Sequence, residues 1–230
     1  MNVLNGINYW MKKLLNGSVT YVSCCRVVKT NNLTIACFSL LISIFSSSCS
    51  SLKSYGKHEK RWAYSHPFAA IKLKKVIRKC DVIYNAEKDA NSLDKYENGG
   101  KLDAFRHIFY MAMFSAKVSC NKVRKLGIAH EKDNYLAFLK SINEDGEKPD
   151  SLSCEMDLLN NEFGIGLSKS IKRKASLDQV KTICIKQIMD GNAYFMKRDS
   201  IGNYLKCNGE KIDLNLYKQV WNVPKCLVRK

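Results

Sequence analysis

A chain of 230 residues with 46% hydrophobic content is too apolar for general disorder, and long enough to bury a core without depending on disulfides. Its formal charge of +17 at pH 7 is the outlying property; such a surface attracts nucleic acid, phospholipid headgroups, lipopolysaccharide or phosphorylated substrates. The lysines are spread along the chain rather than clustered with aromatics, so a solvated surface that keeps the protein soluble explains them equally.

In chain order, the first distinctive element is residues 33–45, LTIACFSLLISIF, an uncharged apolar run preceded by Arg26 and Lys29. Ser46-Ser47-Ser48 and then Cys49 follow it. A positive flank, a short apolar stretch and a small-residue site describe a secretory signal. The run falls short of the roughly 20 residues a helix needs to cross a bilayer, although counting the serines extends it to 33–52. Four basic residues and no acidic one precede Cys49, which leaves 34 basic against 21 acidic residues after it, a charge of +13.

Ser-Ser-Ser-Cys resembles a lipobox, in which a peptidase cleaves before a diacylated cysteine. Ser46 stands where a large aliphatic residue is usual, and relaxed lipoboxes of this kind resemble those of Bacteroidota-type bacteria. Cys49 is thus the expected lipid attachment, with residues 1–48 as the signal segment and 49–65 as a polar tether. The protein is then expected in the cell envelope, anchored to a membrane and facing the periplasm or the exterior. A simply cleaved signal or an uncleaved anchor is the alternative.

Pro67 suits the first turn of a helix, and Ala70, Leu73, Val76-Ile77, Cys80 and Ile83-Tyr84 recur at helical spacing to about Lys88. The other face of that helix carries Lys72, Lys74, Lys75, Arg78 and Lys79, a basic stripe that is either solvated or laid against an anionic surface. A polar loop over 89–100 ends in Asn98-Gly99-Gly100. The next helix, from Lys101 to about Ser119, is apolar all round (Phe105, Ile108, Phe109, Met111, Met113, Phe114) and is expected at the centre. A third helix covers roughly 121–141, followed by a loop over 144–153 with Gly146 and Pro149. A short helix over 154–163 is expected to stop at Gly164, since glycine after a helix end allows a left-handed cap, with another segment over 165–173. Ser176 caps a helix over 177–189 whose inner side is Val180, Ile183-Cys184 and Gln187-Ile188. Asn208-Gly209 signals a turn and residues 214–221 a last helical stretch. The expected fold is all-α: a single helical-bundle-like domain over 66–230 with a small C-terminal hairpin.

Six cysteines follow Cys49: Cys80, Cys120, Cys154, Cys184, Cys207 and Cys226. An even number in an exported protein permits disulfides, and Cys207 with Cys226 is the first pair to test. None forms a C-x-x-C pair, which argues against a zinc ribbon. Several sit at apolar helical positions that suit buried thiols equally.

Asp103 and His107, four apart, lie on one helix face with Arg106 and Tyr110 beside them. At that spacing the two can share a metal, or Asp103 can orient the ring for acid–base work. Alternatively, Asp103 answers the helix dipole and His107 is a satisfied core histidine. His130-Glu131 lies mid-helix, and adjacent residues face apart, so one of the two at most joins a shared site. Asp157 with Asn160 or Asn161 makes an oxygen-rich face near Gly164. Asn-Asn is a poor choice inside a helix, which argues for a reason beyond helix formation unless one of them merely caps.

Asp103-Ala104-Phe105-Arg106-His107, then Ala129-His130-Glu131, then Met156-Asp157-Leu158-Leu159-Asn160-Asn161 with Gly164, resembles an uncharacterised bacterial helical domain with the signature D-A-F-R-H … A-H-E … M-D-L-x-N-N-x-x-G. The resemblance covers about residues 67–195. That family occurs in small lipoproteins and at the C-termini of large secreted proteins of polymorphic-toxin type. It carries no established reaction, so the resemblance implies domain identity rather than mechanism. One departure is Leu159, at a position often held by His.

Polar residues on helices this apolar must pair with each other or meet a ligand. The expectation is a bundle in which Asp103, His107, His130 or Glu131, and Asp157 converge, with Asp103, His107, His130 and Asp157 as the candidate metal ligands. That donor set would suit a divalent zinc, manganese or iron ion. A metal-activated water would make hydrolysis the default chemistry, with Arg106 holding a phosphate or carboxylate. Three functions stay open. One is an envelope-tethered lipoprotein whose polar cluster is structural or ligand-binding; another is a metal-dependent hydrolase of phosphodiesterase or nuclease-like type; the third is a toxin-like effector domain. Nucleic acid is a partner only in the nuclease-like case.

Overall fold

The computed structural model describes residues 55–143, 146–172 and 175–229. The signal segment, the lipobox and Cys49 lie outside the described residues. The described part is mostly helical: α1 (Lys57–Ser65), α2 (Pro67–Ala90), α3 (Lys101–Ser115), α4 (Cys120–Leu139), α5 (Ser151–Leu167) and α6 (Leu177–Met189), with two short strands, β1 (Phe195–Met196) and β2 (Leu227–Val228). Among the described residues no helix is long and apolar enough to cross a membrane.

The all-round apolar helix is the centre, as its composition predicts. Ala104, Phe105, Ile108 and Phe109 of α3 are fully excluded from solvent, because α5 lies along α3 while α2, α4 and α6 pack on its other sides. Each such large side chain contributes about 1.5–3 kcal/mol by leaving water. The N-terminus of α3 has no cap of its own at Gly100. Asp94 supplies one from the preceding loop, accepting from the N–H groups of Lys101 (2.7 Å) and Leu102 (3.1 Å). An ion pair between the buried Glu87 Oε2 and the half-buried Lys181 Nζ (2.9 Å) ties α2 to α6.

Two helix boundaries differ from the sequence reading for identifiable reasons. Residues 57–65, expected as the end of a tether, form α1 because a partner outside that segment holds its first turn. The Asp133 carboxylate on α4 accepts from the backbone N–H groups of His58 (2.9 Å) and Glu59 (3.0 Å), and its Oδ1 is 2.9 Å from His58 Nδ1. Trp62 then docks on α4, its Nε1 donating to Lys122 O at 2.9 Å. The second difference is α5, which starts earlier, at the Asp150–Ser153 capping box, and runs through Gly164 instead of ending there. Gly164 is a contact glycine: a Cβ there would lie 2.9 Å from Ile108 Cα and closer still to the Ile108 carbonyl oxygen. Its missing side chain is what lets α5 touch the backbone of α3.

The docking of α1 is acid-sensitive. Burial alone would raise both Glu59 and Asp133. For Glu59, the His130 ring and the Gly56 N–H outweigh that effect; for Asp133, the N–H groups and ring at His58 and Glu59 do so, and both carboxyls end below their usual values. The undocked state therefore binds protons first. The contribution of these groups is complete above the ordinary carboxylate range near pH 4 and is lost as pH falls through the lower folded values. Hydrogen exchange over residues 56–65 should accelerate below that range while α3 stays protected; uniform exchange across α1 and α3 at every pH would contradict this.

The C-terminal segment is irregular and stapled. β1 pairs antiparallel with β2, Phe195 opposite Val228. The Asn208-Gly209 turn closes a single bridge, Leu205 to Lys211, rather than a full hairpin, and the helical stretch expected over 214–221 is reduced to a 3-10 turn at Leu214–Tyr217. Cys207 and Cys226 form a disulfide. Cys80, Cys120, Cys154 and Cys184 are free, and burial pushes the Cys80 and Cys184 thiols up to about 12.

Candidate functional site

Asp103 sits in the first turn of α3, and His107 one turn further on the same face. Gly99, at φ +68°, turns its N–H toward Asp103 Oδ2 (2.7 Å), while its carbonyl accepts from Met196 N at 2.7 Å. The C-terminal segment thus fixes the residue whose N–H holds Asp103. Arg106 Nη2 donates to Asp103 Oδ1 at 2.7 Å. Burial alone would raise the Asp103 carboxyl, but the guanidinium, the His107 ring and the Gly99 N–H together hold it below its usual value.

The third member comes from α5. Asp157 Oδ1 lies 3.2 Å from His107 Nε2, and Asp103 Oδ1 lies 3.5 Å from the same nitrogen. His107 Nδ1 is 3.0 Å from Asn161 Oδ1. With Nδ1 taken up by Asn161, Nε2 is left facing the two carboxylates, where it donates to them when it carries a hydrogen and is open to a cation when it does not. The three side chains are almost wholly buried, at 3%, 7% and 9% exposure for Asp103, His107 and Asp157. With both carboxyls ionised and Arg106 charged, a neutral His107 leaves one net negative charge in this enclosed space. A cation beside Nε2, or a proton on it, restores balance.

The donor geometry fits a cation. Bonds of about 2.0–2.2 Å to nitrogen and oxygen put adjacent ligand atoms about 3.0–3.5 Å apart, which is the range found on both sides of Nε2. One donor atom from each residue lies within 4.8 Å of those of the other two. Asn161 plays the part that an outer hydrogen-bond partner plays for a metal-bound histidine, fixing tautomer and ring orientation.

The two asparagines divide their work. Asn161 holds His107, whereas Asn160 faces away and clasps the Tyr194 backbone, donating to its carbonyl (2.9 Å) and accepting from its N–H (3.0 Å). Each therefore satisfies a separate partner, which accounts for a helix-disfavoured pair. Leu159 is two residues from Asp157, roughly 200° round the helix, so that position does not face the cluster.

The remaining sequence candidates have partners of their own. His130 Nδ1 is 3.1 Å from Glu59 Oε1, on the side where α1 docks. Glu131 is buried and accepts from Asn134 Nδ2 at 3.1 Å; it also bonds Cys154, one turn before Asp157. Burial, helped by Glu131 and Asp157, pushes the Cys154 thiol well above its ordinary value, which leaves it protonated and unreactive. Tyr110 turns away to donate to Asp81 Oδ1 at 2.6 Å. The role of the Gly99 N–H leaves only a faint trace in the sequence, a Gly-Gly pair directly before a helix with Asp in its first turn. Clefts occur between residues 138–150 and 214–225, and beside α1, but none of Asp103, His107 and Asp157 lines either of them.

The fold and this cluster define an all-α domain with a buried Asp–His–Asp centre. A family model described as a domain of unknown function, DUF6973, matches residues 60–192, and the chain belongs to that family. No curated protein and no solved structure matches it.

Proposed function

We propose that this is an envelope-tethered lipoprotein whose helical domain holds a divalent cation between Asp103, His107 and Asp157, in a structural or ligand-binding role. The observation that carries the reading is the His107 ring, with Nδ1 committed to Asn161 and Nε2 between two carboxylate oxygens at 3.5 and 3.2 Å. Oxygen and imidazole donors without thiolate suit zinc, manganese or iron. An ion there would join α3 to α5 at the centre of the domain. The Cys207–Cys226 disulfide supports an oxidising, exported setting, and the signal-like run ending at Cys49 supports the tether.

Hydrolysis is the second reading, favoured by one observation. Arg106 is a quarter exposed while bonded to Asp103, so it stands at the edge of the cluster, where a phosphate could reach it. A metal ion would supply an activated water. Burial of the three donors, at 3–9% exposure, favours the non-catalytic role, because a substrate must reach them directly.

The tether is tested by metabolic labelling with a fatty-acid analogue. Wild-type protein should take up label and stay with membranes, and Cys49→Ala should lose the label. Equal labelling of both would refute the attachment site.

A further inference from the structure

α2 shows solvent a face that is both apolar and basic. Phe68, Ile71 and Val82 are 82%, 61% and 67% exposed, far more than a chance edge contact leaves open. At 100° per residue they fall on one stripe with Lys72, Lys75, Arg78 and Lys79, all exposed. The stripe spans about 120° of the helix and runs about 20 Å along it, opposite the side on which Leu73, Val76, Cys80 and Tyr84 enter the core. None of its four cations makes an ion pair among the described residues. Asp81, the sole acidic residue between positions 67 and 82, points to the core and accepts from Tyr110.

A helix with cations flanking exposed aromatic and aliphatic side chains is built to lie in an anionic lipid interface: the apolar groups enter the headgroup boundary and the cations meet phosphate. The neighbouring helix α1 repeats the chemistry. It borders a shallow cleft where Lys57, Lys60, Arg61 and Lys140 accompany Tyr55 and Tyr64, with Tyr64 also highly exposed. The chain places a membrane close by. Gly56 is seven peptide steps from Cys49, a reach of about 25 Å at most.

We propose that this face of α2 docks on the anionic phospholipid surface of the membrane to which the protein is tethered, which holds the domain flat against the bilayer. The position of the tether rests on the lipoprotein reading above; the stripe itself does not. Nucleic acid is the weaker candidate, because backbone phosphate would satisfy the lysines and leave Phe68, Ile71 and Val82 in water.

The test mixes full-length protein with phosphatidylcholine vesicles, or with vesicles that also contain phosphatidylglycerol, and treats each with a water-soluble amine-acetylating reagent. Labelling of Lys72, Lys75 and Lys79 is read by mass spectrometry. It should fall at least about threefold on the anionic vesicles, since each cation near such a surface is strongly held, while Lys186 and Lys206 on other elements keep their labelling. Phe68→Ser/Ile71→Ser/Val82→Ser, whose positions are exposed and outside the core, should lose most of that protection with an unchanged circular dichroism spectrum. Equal labelling on the two vesicle types would overturn the proposal, as would protection by duplex DNA without protection by vesicles. Co-flotation with the neutral vesicles reports the tether separately. Protein that floats only with anionic vesicles and is protected there refutes the tether and keeps the stripe; protein that floats with neither refutes both.

Discussion

His107→Ala is expected to lower the stability of the domain by about 3–5 kcal/mol, the range for removing one partner from a buried charged set. The Asp103 and Asp157 carboxylates then remain almost wholly buried without the ring between them, with Arg106 attached to one of them and Asn161 deprived of its partner. Against a typical total of about 5–15 kcal/mol, such a loss moves the urea midpoint by a large fraction of its value. His130→Ala is the internal control. His130 also contacts a carboxylate, Glu59 at 3.1 Å, but its side chain is 36% exposed, and pairs of that kind contribute about 0–1 kcal/mol. Near-equal losses for the two variants would show that the Asp–His–Asp cluster is not the organising centre of the domain.

Two glycines two residues apart on α5 give the other large effect. Gly164→Val should cost at least about 3 kcal/mol or leave no soluble protein, because a side chain there must push α5 away from the Ile108 backbone, and overpacking of a filled core typically costs about 1–3 kcal/mol even where it can relax. The same displacement would carry Asp157 away from His107. Gly166→Ala should be neutral or stabilising by up to about 1 kcal/mol, since a Cβ at Gly166 meets nothing within 4 Å and alanine is the better helix former. Thermal unfolding of the two variants separates a contact glycine from a merely permissive one; equal effects would contradict the α3–α5 packing.

Much of the architecture was legible in sequence because it rests on local signals. The helical period of α2, the unbroken apolar character of α3 and the Ser176 cap of α6 each act within a few residues. What was not legible depends on partners distant in sequence. The helix at Lys57–Ser65 is held by Asp133, more than seventy residues away. Gly164 offers the sequence a stop signal, and only the approach of Ile108 shows why the helix continues through it.

The candidate site divides in the same way. Asp103 and His107 share a face by helical spacing, and the cost of Asn160-Asn161 pointed to partners for that pair. Spacing could not tell which asparagine holds the imidazole and which the Tyr194 backbone, because that depends on how α5 is rotated against α3. His130 and Glu131 stand next to each other in sequence, yet one faces α1 and the other lies beside Cys154.

The most direct test of the cation reading is the metal content of full-length protein purified in detergent without chelators and dialysed against zinc, manganese or iron. About one divalent ion per chain is expected, together with a lower unfolding temperature after chelation, and Asp157→Asn should retain little of it. Wild-type protein that holds no ion under any of these conditions, and whose unfolding temperature is the same with chelator and with metal, would contradict the account.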